Sequence, residues 1–135
     1  MSDEKSEWAR RGVEAWNKDP LATMIAFSHP DLEFHQIEDV MGTAAGVHRG
    51  HKAIATAITP LFEAFMDFQA DILEVIDIGG DSFVMHLRHT GRGRASGVVA
   101  SIELFHVMRV RDGKLYWWQV QRERQEALEA AGLSE

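Results

Sequence analysis

The side chains able to do chemistry in this sequence are few: seven histidines, a single tyrosine, no cysteine, and two glutamines at positions 119 and 121. His106 lies in the apolar run Leu104-Phe105-His106-Val107-Met108. A histidine in a cleft titrates near neutral pH, so His106 is the candidate catalytic acid or base. The other reading of His106 is a core histidine bonded to Gln119. Gln119 and Gln121 carry uncharged amides, which suit holding a carbonyl or hydroxyl of a ligand better than moving a proton. His86 and His89 are three apart on a strand, face opposite ways and cannot share an ion. His48 and His51 bracket a helix start with no third ligand near in sequence, and His35 stands alone on its strand. No metal site is therefore expected, and the missing cysteine excludes a thiolate site, a disulfide and a thiol nucleophile. The glycines between Gly91 and Gly97 join two strands, whereas a dinucleotide fingerprint joins a strand to a helix. No cofactor is expected.

These residues need elements to position them. Trp8, Val13 and Trp16 recur at helical spacing from Glu7 to Asn17. Asp19-Pro20 ends that helix and starts a second, with Asp19 as N-cap and Pro20 in the first turn. The second helix carries Leu21, Met24, Ile25 and Phe27 and stops before His29-Pro30. Asp31 to Ile37 reads as a strand with Leu32, Phe34 and Gln36 on one face. Glu38 to Arg49 reads as a loop. A third helix runs from about Lys52 to Met66, with a kink or a break expected at Pro60 and Thr59 as a cap.

Beyond it the apolar period changes to two. Phe68 to Ile78, Ser82 to Thr90, Gly97 to Arg111 and Leu115 to about Arg122 are strands, and Glu123 to Ala131 is a closing helix. Helices followed by a run of strands imply an α+β fold: N-terminal helices packed on a strongly bent antiparallel sheet, a cone that encloses a pocket. Trp16, Phe27, Phe34 and Gln36 are expected to line that pocket.

Asp112-Gly113 is a strong two-residue hairpin signal. A two-residue loop pairs Arg111 with Lys114, hence Met108 with Trp117, His106 with Gln119 and Leu104 with Gln121. Trp117, Gln119 and Gln121 then join His106 on the pocket side. A one-residue bulge at Gly113 would instead turn Tyr116 and Trp118 inward. The opposite face, with Phe105, Val107, Trp118 and Val120 as its apolar residues, is expected to pack against a second copy in a homodimer.

The chain has 135 residues, of which 45% are hydrophobic. That suits a single domain spanning residues 1–135. The net charge is -7, which argues against a nucleic-acid partner. The cluster Arg88, Arg92, Arg94, Arg109 and Arg111 lacks interleaved aromatics and reads as a solvated face or subunit contact. No signal peptide or membrane span is visible, so a cytoplasmic location is expected.

The run Arg109-Val110-Arg111-Asp112-Gly113-Lys114-Leu115, followed by Arg124-Gln125-Glu126-Ala127-Leu128, resembles the ending of SnoaL-like proteins of the nuclear transport factor 2-like superfamily. The start Gly50-His51-Lys52-Ala53-Ile54 and the connection Gly91 to Gly97 are similar to the same family. The resemblance implies a homodimer and a pocket for a small apolar or polycyclic molecule. Relatives include ketosteroid isomerases, scytalone dehydratases, polyketide cyclases and non-catalytic binders, so the fold leaves the activity open. Ketosteroid isomerase-like proteins use an aspartate base on the first strand and a tyrosine on the first helix; here those elements carry Phe34, His35, Gln36 and Trp16. Two functions follow as expectations. One is a cofactor-independent isomerase, dehydratase or cyclase with His106 as acid or base. The other is a ligand-binding or dimeric interaction domain without chemistry.

Overall fold

The computed structural model describes residues 2–36 and 45–132. Helix α1 (Ser2–Lys18) turns Trp8, Ala9, Val13 and Trp16 toward the interior. Asp19 caps α2 (Pro20–Phe27) by accepting from the Ala22 N–H at 3.1 Å. Strand β1 (Ser28–Gln36) follows without a loop and begins earlier than expected. Ile37 and most of the segment read as a loop lie outside the described residues. The last four residues before Gly50 form a short strand, β2 (Gly46–Arg49), which pairs antiparallel with β1.

Helix α3 (His51–Ala64) runs through Pro60. The expected break at Thr59 does not occur, because the Thr59 hydroxyl bonds back to the Ala55 carbonyl at 2.6 Å inside the helix instead of capping a new one. Strands β3 (Phe65–Asp77), β4 (Ser82–Gly93), β5 (Val99–Arg111) and β6 (Lys114–Gln121) form an antiparallel meander. Strand β1 adds to β6 in parallel, giving one six-stranded sheet in the order β2-β1-β6-β5-β4-β3. Helix α4 (Arg124–Ala130) closes the described chain.

The sheet is curved and unclosed, and α1, α2 and α3 fill its concave side. Phe34, Phe83, Met85, Leu87, Leu104, Met108 and Trp118 on the strands pack with Trp8, Met24, Ile54 and Ile58 on the helices. Gly91 on β4 lies against Phe65 and Phe68 at the start of β3. A Cβ there would lie 3.1 Å from the Phe65 Cβ and 3.2 Å from the Phe68 ring, so only glycine lets these aromatics approach.

The β5–β6 turn has the expected geometry: Asp112 at φ 54° and Gly113 at φ 77° are both left-handed, as this two-residue loop requires. The register beyond it differs from the expected one. Arg111 pairs with Lys114 and Val110 with Leu115, but Arg109 then pairs with Trp117, leaving Tyr116 as an extra residue on β6. The bulge lies after Leu115, so Leu115, Trp118 and Val120 face inward and Trp117, Gln119 and Gln121 face outward. Regular pairing would have pushed two amides into an apolar interior, at a cost of about 1–3 kcal/mol for each one left unbonded. The bulge also frees Tyr116, whose hydroxyl donates to Asp81 at 3.0 Å.

The convex face is covered differently from the expectation. Phe105 and Val107 are buried with Val84 beneath Ala127 and Leu128 of the chain's own α4, while Trp118 and Val120 point inward. The four residues that were to seal a homodimer are thus occupied within one chain. The arginine cluster is spent locally on the surface: Arg109 lies 4.5 Å over the Trp117 ring, Arg88 is 3.8 Å from Glu103, and Arg111 reaches Asp81 at 3.4 Å.

Candidate functional site

The concave face leaves two neighbouring voids, of about 80 and about 50 Å³. The larger has several times the roughly 10–15 Å³ that one water needs. It lies between α1, α2 and the strands, against Trp8, Val13, Met24, Phe27, Met85 and Met108. The smaller is walled by Phe34, Gln36, Leu61, Phe68, Leu104 and Val120. Four side chains border both: Trp16, His89, His106 and Trp118. No carboxylate and no cationic side chain lines either void among the described residues.

Of the residues expected at the site, His106, Trp16 and Phe27 border the larger void, and Phe34 and Gln36 the smaller. Trp117, Gln119 and Gln121 do not reach either one, because the Tyr116 bulge turns them to the convex face. Trp117 there packs against His35, with ring centroids 4.9 Å apart and the planes tilted by 36°. Val120, not Gln119, is the cross-strand neighbour of His106.

The polar centre of the site is a chain of three rings. Trp118 Nε1 donates to His106 Nδ1 at 3.0 Å, and His106 Nε2 lies 2.9 Å from His89 Nε2. Both histidines are almost fully buried. An indole nitrogen can only donate, so His106 Nδ1 carries a lone pair. A neutral imidazole has one proton, which His106 therefore holds on Nε2 and donates to His89 Nε2. His89 must in turn hold its own proton on Nδ1. That N–H has no acceptor among the described residues, and neither does the buried indole N–H of Trp16. An unpaired buried donor costs about 1–3 kcal/mol, so two at one void are an uncommon feature.

Protonation is opposed at both rings. Burial pushes His89 down to about 4. Burial and then the neighbouring His89 hold His106 well below the usual histidine range. The hydrogen-bond pattern works the same way: an added proton on His89 Nε2 would confront the His106 N–H, and Trp118 blocks the tautomer that could yield. The site is uncharged at neutral pH, its two unpaired N–H groups are buried in the side chains that wall the voids, and neither imidazole has a free basic nitrogen.

Sequence reasoning separated His89 from His86 correctly. His86 points outward, to Glu103 at 2.9 Å and onto the Phe105 ring. The pairing of His89 with His106 was missed. The register sets His106 opposite Met85, four residues from His89, and a flat sheet would keep them about 13 Å apart along the strand. The concave bend brings the ring centroids to 5.1 Å. Three aromatics hold the pair: Phe68 stacks on His89 at 5.6 Å, Trp118 lies parallel to His106, and Phe34 packs on Trp118 at 4.1 Å. Among the described residues no group of three histidine or carboxylate side chains could hold a metal ion, and no helix is long and apolar enough to cross a membrane.

The fold has clear counterparts. A protein of unknown function with a nuclear transport factor 2-like fold, from Burkholderia pseudomallei, superposes with a TM-score of 0.74 at 18% identity, covering 92% of this chain and 94% of its own. A protein with a ketosteroid isomerase-like fold from Catenulispora acidiphila, in complex with trimethylamine, gives a TM-score of 0.72 at 12% identity, over 94% and 93%. A Mycobacterium tuberculosis protein in complex with estradiol-17β-hemisuccinate gives 0.70 at 12% identity, over 87% and 92%. Among curated proteins nothing matches. The model of the SnoaL-like domain matches residues 9–118, and with the helices-then-curved-sheet architecture this places the chain in the SnoaL-like family of the nuclear transport factor 2-like fold.

Proposed function

We propose that this chain binds one compact, largely apolar molecule in the void between α1, α2 and the concave sheet face. The observation that carries this reading is a void of about 80 Å³, lined mostly by apolar side chains and adjoined by a smaller one of about 50 Å³, left open in the core. The small molecules bound by two proteins of the same fold are consistent with it. The size favours a single ring over a polycycle. The residues set against the ligand are Trp16, Phe27, Met85, Met108, His89 and His106, with Phe34 and Gln36 at the adjoining void. We place the protein in the cytoplasm, where a chain without cysteine is at home.

The catalytic reading, an isomerase, dehydratase or cyclase, rests on the histidine pair. Removing a proton from a carbon needs a base with a free lone pair. In this geometry His106 has both nitrogens engaged, and His89 offers only an N–H. The pair suits polarising or holding a ligand oxygen and does not suit general-base work, which favours binding over chemistry. His106 then acts as the group that sets the tautomer of His89. Self-association would use the part of the convex face left bare by α4, around Trp117, Arg109 and His35.

Calorimetric titration with ethylbenzene tests the binding reading. Saturable binding to the unmodified chain, lost in Val13→Phe, which adds a ring into the void, supports it. Equal binding by a folded Val13→Phe would place the ligand elsewhere.

A further inference from the structure

We propose that the void selects ligands bearing a neutral hydrogen-bond acceptor, such as a ketone oxygen on a small apolar skeleton, and that the Nδ1–H of His89 is the group that reads it, with the Trp16 indole N–H as a second donor. The inference rests on the binding reading above and adds the chemistry of the ligand's one polar atom.

The direction of the ring chain carries the assignment. Trp118 cannot accept a hydrogen bond, so the protons of His106 and His89 are placed in sequence and the last one ends on His89 Nδ1. His89 is 6% exposed, and its Nδ1 and the Trp16 Nε1 are buried without a protein acceptor among the described residues. Both side chains border both voids. A pure hydrocarbon would fill the space and leave these donors unpaired. A ligand ammonium would set donor against donor. A carboxylate would be buried without a cation, since no arginine, lysine or charged histidine lines the site. A neutral acceptor is the one class that satisfies the donors without a stranded charge.

The polarity is also fixed against exchange. In an isolated histidine pair the protons can shift so that either ring ends the chain. Here the Trp118 N–H holds one end, and His106 is the positioning residue that transmits the choice. Trp118→Phe keeps an aromatic ring beside His106 but removes that constraint.

The experiment compares acetophenone with ethylbenzene, which differ by a carbonyl in place of a methylene. Affinities of both are measured by calorimetry for the unmodified chain, His89→Phe and Trp16→Phe. Using the ratio of the two affinities cancels their different solvation in water. The ratio should fall by roughly tenfold in His89→Phe, the size of one good hydrogen bond, and by less in Trp16→Phe. Independently, in the unmodified chain the ¹⁵N spectrum should show His89 protonated on Nδ1 and His106 on Nε2. The His89 Nδ1 proton should move downfield with acetophenone and stay in place with ethylbenzene. A saturable ethylbenzene titration with an unchanged ratio, or His89 protonated on Nε2, overturns the proposal and leaves the binding reading intact. Failure of both probes to bind overturns the two together.

Discussion

Two neutral imidazoles buried side by side make the fold acid-sensitive in a calculable way. In the unfolded chain a histidine takes up its proton near pH 6.5. In the folded chain burial lowers His89 to about 4 and holds His106 well below its ordinary range. The unfolded state therefore binds more protons wherever the pH lies between the two values, and stability falls as the pH drops from about 6.5 toward 4. Each pH unit in that window is worth about 1.4 kcal/mol per histidine. At pH 5 the loss from His89 alone is about 2 kcal/mol, out of the roughly 5–15 kcal/mol that holds a domain folded, and His106 adds to it in the same direction. Urea unfolding at pH 7.5 and pH 5 measures it. His89→Gln is the control: its amide oxygen can accept from His106 Nε2, and it does not titrate. Its stability loss between the two pH values should be smaller than that of the unmodified chain by about 2 kcal/mol. Equal losses in the two proteins would refute the neutral, locked pair.

Other consequences follow from the same geometry. Trp118→Phe leaves His106 Nδ1 without its donor and should cost about 1–3 kcal/mol by urea unfolding, with both His106 tautomers appearing in the ¹⁵N spectrum. Gly91→Val should destabilise by about 1–3 kcal/mol at neutral pH, since its Cβ meets Phe65 and Phe68 at 3.1 and 3.2 Å; unchanged stability would show that β3 can move away. Gln119→Leu lies on the convex face and should leave ethylbenzene affinity within about twofold of the unmodified chain. A large loss would return Gln119 to the site. Val107→Ala, beneath α4, should cost about 2 kcal/mol and leave binding unchanged.

The fold was legible in the chain wherever local chemistry dictates local structure. Asp19-Pro20 marked a helix start, and Asp112-Gly113 marked a turn that only positive φ angles satisfy. The alternation Leu32, Phe34, Gln36 gave the inward face of β1, and His106 was placed on the inner face. What escaped notice depends on contacts between distant residues. The bulge at Tyr116 is favoured by an apolar interior and by Asp81, 35 positions away. Strand β2 forms because β1 offers it an edge, and four residues of Gly-Val-His-Arg do not announce it alone. The burial of Phe105 and Val107 was visible, but their cover, a short helix of the same chain, was mistaken for a second copy. The His89–His106 pair needs the curvature of the sheet, which no spacing rule encodes: four residues along a strand means separation on a flat sheet and contact on a concave one.

The proposed binding site is reported on by its methionines. Met24, Met85 and Met108 border the larger void, whereas Met66 is exposed on β3. With methyl-labelled methionine, titration with ethylbenzene should shift the Met24, Met85 and Met108 signals along one saturable curve and leave Met66 unmoved. Static signals at the three inner methionines, or a response confined to Met66, would contradict a ligand-binding interior.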